Sequence, residues 1–83
     1  MYVIYSKDGC PWCVKAKNLL ELCGLEYKEL KINQDYSRED LKSLLPENTP
    51  LTVPQIFAYN KLIGGYKDLE TYVEDNGIMG TRQ

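Results

Sequence analysis

Two cysteines separated by two residues are the part of this sequence best suited to chemistry. They form the segment Cys10-Pro11-Trp12-Cys13. Proline is favoured at the first position of a helix, where its missing N–H needs no partner, so the segment predicts a helix that begins directly after Cys10. A cysteine reacts as its thiolate, and the N–H groups at a helix N-terminus stabilise an anion. We therefore predict that Cys10 is the catalytic nucleophile. Cys13, one turn along the helix, is predicted to be the second thiol of a disulfide exchange.

A zinc site is the main alternative for this cysteine pair, and the residue types argue against it. A structural zinc ion needs four ligands, but the chain has three cysteines and no histidine. The third cysteine, Cys23, follows Cys13 by about 15 Å of helix, which is too far for a shared metal ion or a disulfide. It falls on the apolar stripe of that helix with Leu19 and Leu20, which predicts an inert position in the core. No metal site is expected.

The composition limits the other kinds of function. The chain has 83 residues, of which 43% are hydrophobic and 27% are charged, and these values predict one folded domain spanning residues 1–83. A net charge of −2 with scattered basic residues argues against a nucleic-acid partner. No apolar run is long enough to span a membrane, and no basic signal-peptide segment precedes the first strand. We therefore expect a cytoplasmic protein, in a compartment that keeps thiols reduced.

The first half of the chain predicts a strand, a helix and a second strand. Residues 1–6 are rich in β-branched and aromatic types, as in a short buried strand. Apolar residues at helical spacing predict a helix over residues 11–23, which Gly24 ends. Residues 26–32 alternate between polar and apolar side chains, which indicates a second strand. A β-α-β unit of this kind joins two parallel strands by a right-handed crossover.

The second half predicts a helix, a hairpin and a last helix. Ser37 is predicted to cap a helix that Pro46 stops, with Asp40 three residues beyond the cap. Residues 55–59 and 62–63 predict two strands joined by a turn at residues 60–61. A helix over residues 67–75 then ends at Gly77, and a mobile tail over residues 77–83 is expected. The order β-α-β-α-β-β-α predicts an α/β fold, a four-stranded mixed sheet with helices on both faces.

Three segments make the sequence similar to the glutaredoxins, small members of the thioredoxin-fold superfamily. The cysteine segment resembles the family's dithiol site, which usually reads Cys-Pro-Tyr-Cys. Thr52-Val53-Pro54-Gln55 matches the family's Thr-Val-Pro segment, and Ile63-Gly64-Gly65 followed by Asp68 matches its Gly-Gly-x-x-Asp segment. The resemblance runs from residue 2 to about residue 73. The small size is also similar to the glutaredoxins of large bacterial viruses, a resemblance that would place the protein in a host cytoplasm.

The resemblance implies a glutathione site beside the cysteines. Lys7, three residues before the nucleophile, would bind the glycine carboxylate of glutathione or stabilise the thiolate, and Trp12 would form one wall of the groove. Thr52, Val53 and Pro54 would face the cysteines, with a cis peptide bond between Val53 and Pro54. The backbone of Val53 would then pair with glutathione as one strand pairs with another.

The opposite end of glutathione would lie at the start of the last helix. By resemblance, Gly65, Lys67 and Asp68 would hold the γ-glutamyl carboxylate. The family often has Gln or Arg early in the second helix to hold the glycine end. Arg38 and Lys42 both lie in that region, and the sequence does not align either of them with the family's residue.

The function that the resemblance implies is a glutathione-dependent thiol–disulfide oxidoreductase. Cys10 would attack a protein disulfide or a glutathione mixed disulfide, Cys13 would resolve it, and glutathione would restore the dithiol. Ribonucleotide reductase is an expected protein partner, and the chain is expected to act as a monomer. Two alternatives remain: a hydrogen donor recharged by thioredoxin reductase, and an iron–sulfur carrier in which two chains and two glutathiones share a cluster. Pro11 disfavours the carrier, because the family's cluster binders usually lack proline there.

Overall fold

The computed structural model describes residues 1–77, which form one sheet and three helices. In chain order the elements are β1 (Tyr2–Ser6), α1 (Pro11–Leu22), β2 (Tyr27–Lys31), α2 (Arg38–Leu44), β3 (Gln55–Ala58), β4 (Lys61–Gly64) and α3 (Tyr66–Asp75). This order confirms the predicted β-α-β-α-β-β-α arrangement. Most of the predicted tail, residues 78–83, lies outside the described residues. Among residues 1–77, no helix combines the length and the apolar character needed to cross a membrane.

The sheet has the strand order β2-β1-β3-β4 and is mixed, as predicted. β1 pairs with β2 in parallel and with β3 antiparallel, and β3 pairs with β4 antiparallel. Ile4 of β1 therefore lies between Glu29 of β2 and Ile56 of β3. Because β1 is an inner strand, the loop at its carboxyl end leaves from the middle of the sheet, and the cysteine segment follows that loop.

Side-chain alternation along the strands places an apolar layer on each face of the sheet. Tyr2 and Ile4 of β1 pack with α1 and α3 in one buried cluster, which also contains Leu20 and Leu69. Tyr5, the residue after Ile4 on β1, lies on the other face of the sheet and packs against the buried cluster that includes Leu41 of α2. Helices therefore cover both faces, as the sequence predicted.

Helix α1 ends in a way that corrects one prediction. Leu22 is its last residue, and Cys23 is the cap. The Gly24 N–H donates to the Glu21 carbonyl at 3.0 Å and the Leu25 N–H to the Leu20 carbonyl at 3.0 Å, which is the Schellman pattern. Cys23 was predicted to be fully buried. It is only half-buried and packs at the margin of the α1–α3 cluster, because the chain is already leaving the helix there.

The cap of α2 confirms the sequence analysis, and the hairpin shifts by one residue. Ser37 Oγ accepts a hydrogen bond from the Asp40 N–H at 3.1 Å, and the Ser37 N–H donates to Asp40 Oδ2 at 2.9 Å. The hairpin turn is Tyr59-Asn60, not residues 60–61, and both of its residues have positive φ, 51° and 70°. A two-residue turn of that conformation matches the twist of the paired strands, so β4 begins already at Lys61.

Candidate active site

The cysteine pair lies where the loop after β1 enters α1. Cys10 is the N-cap, with φ −107° and ψ 102°, and Pro11 is the first helical residue. Cys10 and Cys13 form a disulfide with their Cα atoms 5.2 Å apart. The Cys13 N–H donates to Cys10 Sγ at 3.1 Å. When the disulfide is reduced, that N–H and the helix N-terminus favour an anion on the Cys10 sulfur, which is the arrangement that the sequence predicted.

The two sulfurs differ in how far solvent reaches them. Cys10 is 7% exposed, whereas Cys13 is 1% exposed and packs on the inner side of α1. An incoming sulfur can therefore reach Cys10 but not Cys13. Cys13 can act only on a disulfide already formed at Cys10. The order of attack predicted from the spacing fits this difference in burial.

The segment before β3 closes over Cys10 from the opposite side. The Val53–Pro54 peptide bond is cis, as the resemblance implied, and the Val53 carbonyl oxygen lies 4.0 Å from Cys10 Sγ. Gln55 is 5% exposed, and its Nε2 donates to the Thr52 carbonyl at 2.9 Å. Gln55 therefore holds the segment in place. No role was predicted for Gln55 from the sequence. A polar residue at the start of a buried strand could have indicated that its side chain binds a neighbouring backbone group.

A cavity of about 500 Å³ opens on one side of Cys10. Predicted site residues that line it are Lys7, Cys10, Trp12, Thr52 and Val53. Arg38, one of the two candidates for the glycine end of glutathione, is also in its wall, together with residues for which no site role was predicted: Gly9, Pro11, Ile32, Leu41 and Leu51. We call this hollow the cationic cavity, because Lys7 and Arg38 both border it.

The cationic cavity also distinguishes between two candidates that the sequence left open. Arg38, at the first position of α2, lines the cavity. Lys42 lies in the last turn of α2 and borders a separate hollow with Pro46 and Glu47. The fold therefore brings Arg38, and not Lys42, to the cysteine pair.

A second hollow of about 270 Å³ opens on the other side of the Val53 segment. It contains the remaining predicted binding residues: Pro54 and, at the start of α3, Gly65, Lys67 and Asp68. Trp12, Thr52 and Val53 border both hollows, and Cys10 borders the first, so the two adjoin along the Val53 segment and together form what we call the groove. We call the second hollow the helix-start cavity.

Of the two glycines before α3, Gly64 is the one that the local geometry requires. Gly64 has φ +125°, a conformation that favours glycine, and a Cβ there would collide with the Asp68 carboxylate. The Gly65 N–H donates to Asp68 Oδ2 at 3.0 Å. The Pro54 carbonyl oxygen lies 3.7 Å from where a Gly65 Cβ would stand. Asp68 thus caps its own helix, and its carboxylate occupies the space that a Cβ at Gly64 would need.

Trp12 contacts two residues that the sequence analysis did not connect with the site. Its ring is 47% exposed, its centroid lies 5.6 Å from that of Tyr66, and Lys15 Nζ stands 4.5 Å from its centre. Burial raises the pKa of Tyr66, and the neighbouring Glu70 carboxylate raises it further. Tyr66 opens α3, so its contact with α1 depends on tertiary packing and leaves no local signal in the sequence.

A small polar network lies at the base of the site, where β1 ends. Ser6 is fully buried, and its hydroxyl donates to Glu29 Oε2 at 2.6 Å. Lys17 of α1 pairs with the same carboxylate at 3.2 Å. Burial alone would raise the pKa of Glu29, but the hydrogen bonds from Ser6 and Lys17 and the charges of Lys17 and Lys31 outweigh it, so the pKa is lowered. The network joins α1 to β1 and β2 below the cysteine loop.

The geometry defines a protein of the thioredoxin fold with a redox-active Cys-x-x-Cys pair at a helix N-terminus. Within residues 1–77, no cluster of three or more Cys, Asp or Glu residues could hold a metal ion. The family model for glutaredoxin matches residues 2–63. The chain belongs to the glutaredoxin family, and its Cys-Pro-Trp-Cys segment is the dithiol site of that family.

Relatives and solved structures agree with this assignment. Glutaredoxin 1 of Escherichia coli is 38% identical over 80 residues, which cover 89% of this chain and 93% of that protein. The structure of reduced Escherichia coli glutaredoxin superposes with a TM-score of 0.79 at 36% identity, covering 90% of this chain and 94% of that one. A buckwheat glutaredoxin–glutathione complex superposes with a TM-score of 0.76 at 25% identity, and the match covers 95% of this chain and 73% of the buckwheat chain. The chain spans only 27% and 60% of the length of two other curated relatives.

Proposed function

We propose that this protein is a glutathione-dependent thiol–disulfide oxidoreductase that reduces protein disulfides and glutathione mixed disulfides. One observation carries the proposal. Cys10, the outer sulfur of the pair, caps α1 with its Sγ 4.0 Å from the Val53 carbonyl, and a cavity opens on each side of the Val53 segment, with Cys10 in the wall of the first. An extended peptide with a central cysteine would fit such a groove.

The reaction follows from the different burial of the two sulfurs. The Cys10 thiolate attacks one sulfur of a substrate disulfide, and the other substrate sulfur leaves as a thiolate. Cys13, buried beside Cys10, then attacks Cys10 Sγ, releases the second substrate thiol and forms the intramolecular disulfide. Two glutathione molecules reverse this oxidation: the first opens the disulfide at Cys10, and the second attacks the mixed disulfide and leaves as glutathione disulfide. Two electrons pass from two thiols to one disulfide.

The proposed glutathione pose uses both cavities. A carboxylate in the cationic cavity would meet Lys7 and Arg38, which line it. The γ-glutamyl carboxylate would lie at the N-terminus of α3, beside Gly65 and Lys67, where backbone N–H groups favour an anion. The backbone of Val53 would pair with the middle of the peptide. The buckwheat neighbour, described as a glutaredoxin–glutathione complex, supports glutathione as the ligand of this groove.

Partners and compartment follow as further parts of the proposal. Ribonucleotide reductase is a suitable protein substrate, because its disulfide must be reduced in every turnover. We propose a monomer acting in the cytoplasm, where a glutathione pool is available as reductant. Recharging by thioredoxin reductase is the competing proposal for the reductant. The two basic residues at one end of the groove favour a small ligand with carboxylates and hence favour glutathione.

A coupled assay tests the choice of reductant. The protein is supplied with a glutathione mixed disulfide, glutathione, glutathione reductase and NADPH, and NADPH oxidation is followed. We expect turnover that depends on both the protein and glutathione. Turnover with thioredoxin reductase and NADPH, but none with the glutathione system, would contradict the proposal. A parallel measurement of visible absorbance and bound iron on freshly purified protein tests the iron–sulfur carrier.

A further inference from the structure

The outward side of α1 carries a surface that adjoins the two cavities but extends beyond them along the helix. Beyond Trp12 a shallow hollow of about 270 Å³ runs along the helix against the start of α3. Together with the ring of Trp12, its lining residues form what we call the α1 platform: Trp12, Lys15, Asn18, Leu19, Leu22 and Tyr66. The platform continues from the groove, because Tyr66 borders both this hollow and the helix-start cavity.

The platform is more apolar than a solvent-facing helix surface needs to be. Leu22 is 59% exposed and Trp12 is 47% exposed. The inward side of the helix is already formed by other residues, among them Ala16 and Leu20, so these exposed side chains are not needed for the core. Amphipathic helices usually keep such residues inside, and an exposed apolar patch continuous with an active site is a common mark of an interaction surface.

The charge of the platform is positive next to the cysteine pair. Lys15 Nζ stands over Trp12 at 4.5 Å, and Lys67 borders the adjoining cavity. Two acidic residues lie on this side, and both carboxylates accept hydrogen bonds: Asp68 from the Gly65 N–H at 3.0 Å and Glu70 from the Tyr66 hydroxyl at 3.2 Å. The chain as a whole carries a net charge of −2. Lys15 is the charged residue of the platform itself, and on an acidic protein it favours partners that carry negative charge near the reacting disulfide.

The limited exposure of Cys10 indicates which kind of partner binds to this surface. Cys10 is only 7% exposed, so a protein disulfide can reach it only if the chain around that disulfide lies against the margin of the groove. We propose that the α1 platform docks the segment of a protein substrate next to its reacting cysteine, and that this segment carries a carboxylate and a large apolar side chain. The inference rests on the proposed disulfide-reductase function and adds a sequence preference to it.

The spacing of the platform predicts where these groups lie in the substrate. Along α1, Lys15 is about 7.5 Å and Leu22 about 18 Å beyond Cys10. An extended peptide advances about 3.3 Å per residue. The carboxylate is therefore expected two or three residues from the reacting cysteine, and the apolar residue five or six residues from it, on the same side of that cysteine.

Charge exchange between protein and peptide tests the pairing with Lys15. Single-cysteine peptides carrying Glu, Ala or Lys three residues from the cysteine, on either side of it, are prepared as mixed disulfides with thionitrobenzoate. The reduced protein then becomes oxidised as the peptide thiol and the coloured thiolate are released, and the release is timed. We expect the Glu peptide to react about two- to fivefold faster than the Lys peptide, as for an exposed ion pair. This difference should appear for only one of the two placements of the charged residue, before or after the cysteine. Lys15→Glu should abolish or reverse this ratio.

A matched lysine serves as the control. Lys28 of β2 is exposed and is not among the lining residues of either cavity or of the platform, so Lys28→Glu should leave the Glu-to-Lys peptide ratio as in the wild type. An equal ratio for wild type and Lys15→Glu would overturn the proposal, since the ratio cancels any general effect of Lys15 on Cys10. The coupled glutathione assay, run on the same wild-type preparation, shows separately whether the proposed function itself holds.

The apolar half of the platform is tested with Leu22. Peptides with Leu or Ser six residues from the cysteine should differ about twofold or more with the wild type, and Leu22→Asp should remove that difference. Leu44→Asp, on the similarly exposed Leu44 of α2, should preserve it. A second copy of this chain is the rival occupant. If sedimentation shows a dimer that Leu22→Asp disrupts, while the Leu-to-Ser peptide ratio is unchanged by that substitution, the platform is a self-association surface and the proposal is wrong.

Discussion

The cationic cavity and the helix-start cavity adjoin along Trp12, Thr52 and Val53, but they differ in the groups that form them. On the cationic side the polar groups are long side chains, Lys7 and Arg38, carried by a loop and by the start of α2. On the other side the shape depends on backbone, with Gly64 at φ +125° and the Gly65 N–H held by Asp68. The first cavity should therefore respond mainly to charge and salt, and the second mainly to shape.

Substitutions of the two cysteines, on which the use of either cavity depends, should give the largest effect. Cys10→Ser should abolish every exchange reaction, because Cys10 is the outer sulfur at the cap of α1. Cys13→Ser should keep reduction of glutathione mixed disulfides, which needs one thiolate, and lose reduction of protein disulfides, which needs a resolving thiol. Coupled turnover with each substrate class measures both. Full protein-disulfide reduction by Cys13→Ser would show that Cys13 does not resolve the mixed disulfide.

A shape change in the helix-start cavity should give the next largest effect. In Gly64→Ala the new Cβ would collide with the Asp68 carboxylate and occupy a conformation that favours glycine, so we expect a loss of about 3 kcal/mol in the free energy of unfolding and a higher KM for glutathione. Urea unfolding and coupled kinetics measure the two.

Gly77→Ala is the matched control for Gly64→Ala. Gly77 also has positive φ, 70°, but a Cβ there would meet open space. Gly77→Ala should lower the free energy of unfolding by about 1 kcal/mol and leave the KM for glutathione unchanged. Similar losses for both variants would mean that the contact with Asp68 is not what requires Gly64.

A charge change in the cationic cavity should give a smaller and salt-dependent effect. Lys7→Glu should lower glutathione-dependent turnover about two- to tenfold at low salt, because it places a negative charge beside both a carboxylate and the Cys10 thiolate. Lys42→Glu should not, since Lys42 borders a separate hollow. The difference should shrink as salt rises. If Gly64→Ala showed the same salt dependence, the contrast between the two cavities would be wrong.

The polar network at the base of the site should give the smallest effect, and it should appear as a pH dependence. The pKa of Glu29 is lowered in the folded protein, so its contribution to stability is present above its ordinary value of 4.5 and is lost as the pH falls through the lower, folded value. Glu29→Gln should lower the free energy of unfolding by on the order of 1 kcal/mol at neutral pH and change it little in acid. Urea unfolding against pH measures this. The exposed Glu26→Gln is the control, and an equal effect of both variants would contradict a role for the Ser6–Lys17 contacts.

Features that depend on near neighbours in the chain could be predicted from the sequence alone. The helix start at Pro11, the capping pair of Ser37 and Asp40 and the glycine stop after α1 are local rules of hydrogen bonding, and all three appear in the structure. The order of elements also followed from local periodicity. The errors were equally local: the hairpin turn shifted by one residue because Tyr59, a residue type not typical of such turns, adopts positive φ beside Asn60.

The residues that surround Cys10 could not be predicted from local sequence, because they are brought together by tertiary packing. The Val53 carbonyl comes from 43 residues away in the chain, and its place beside the sulfur depends on β3 pairing with β1. The choice of Arg38 over Lys42 depends on how α2 packs on the sheet, and the contact of Tyr66 with Trp12 depends on how α3 packs on α1. Spacing along the chain does not encode these distances, because they result from the summed packing of whole elements and not from any one segment's own preference.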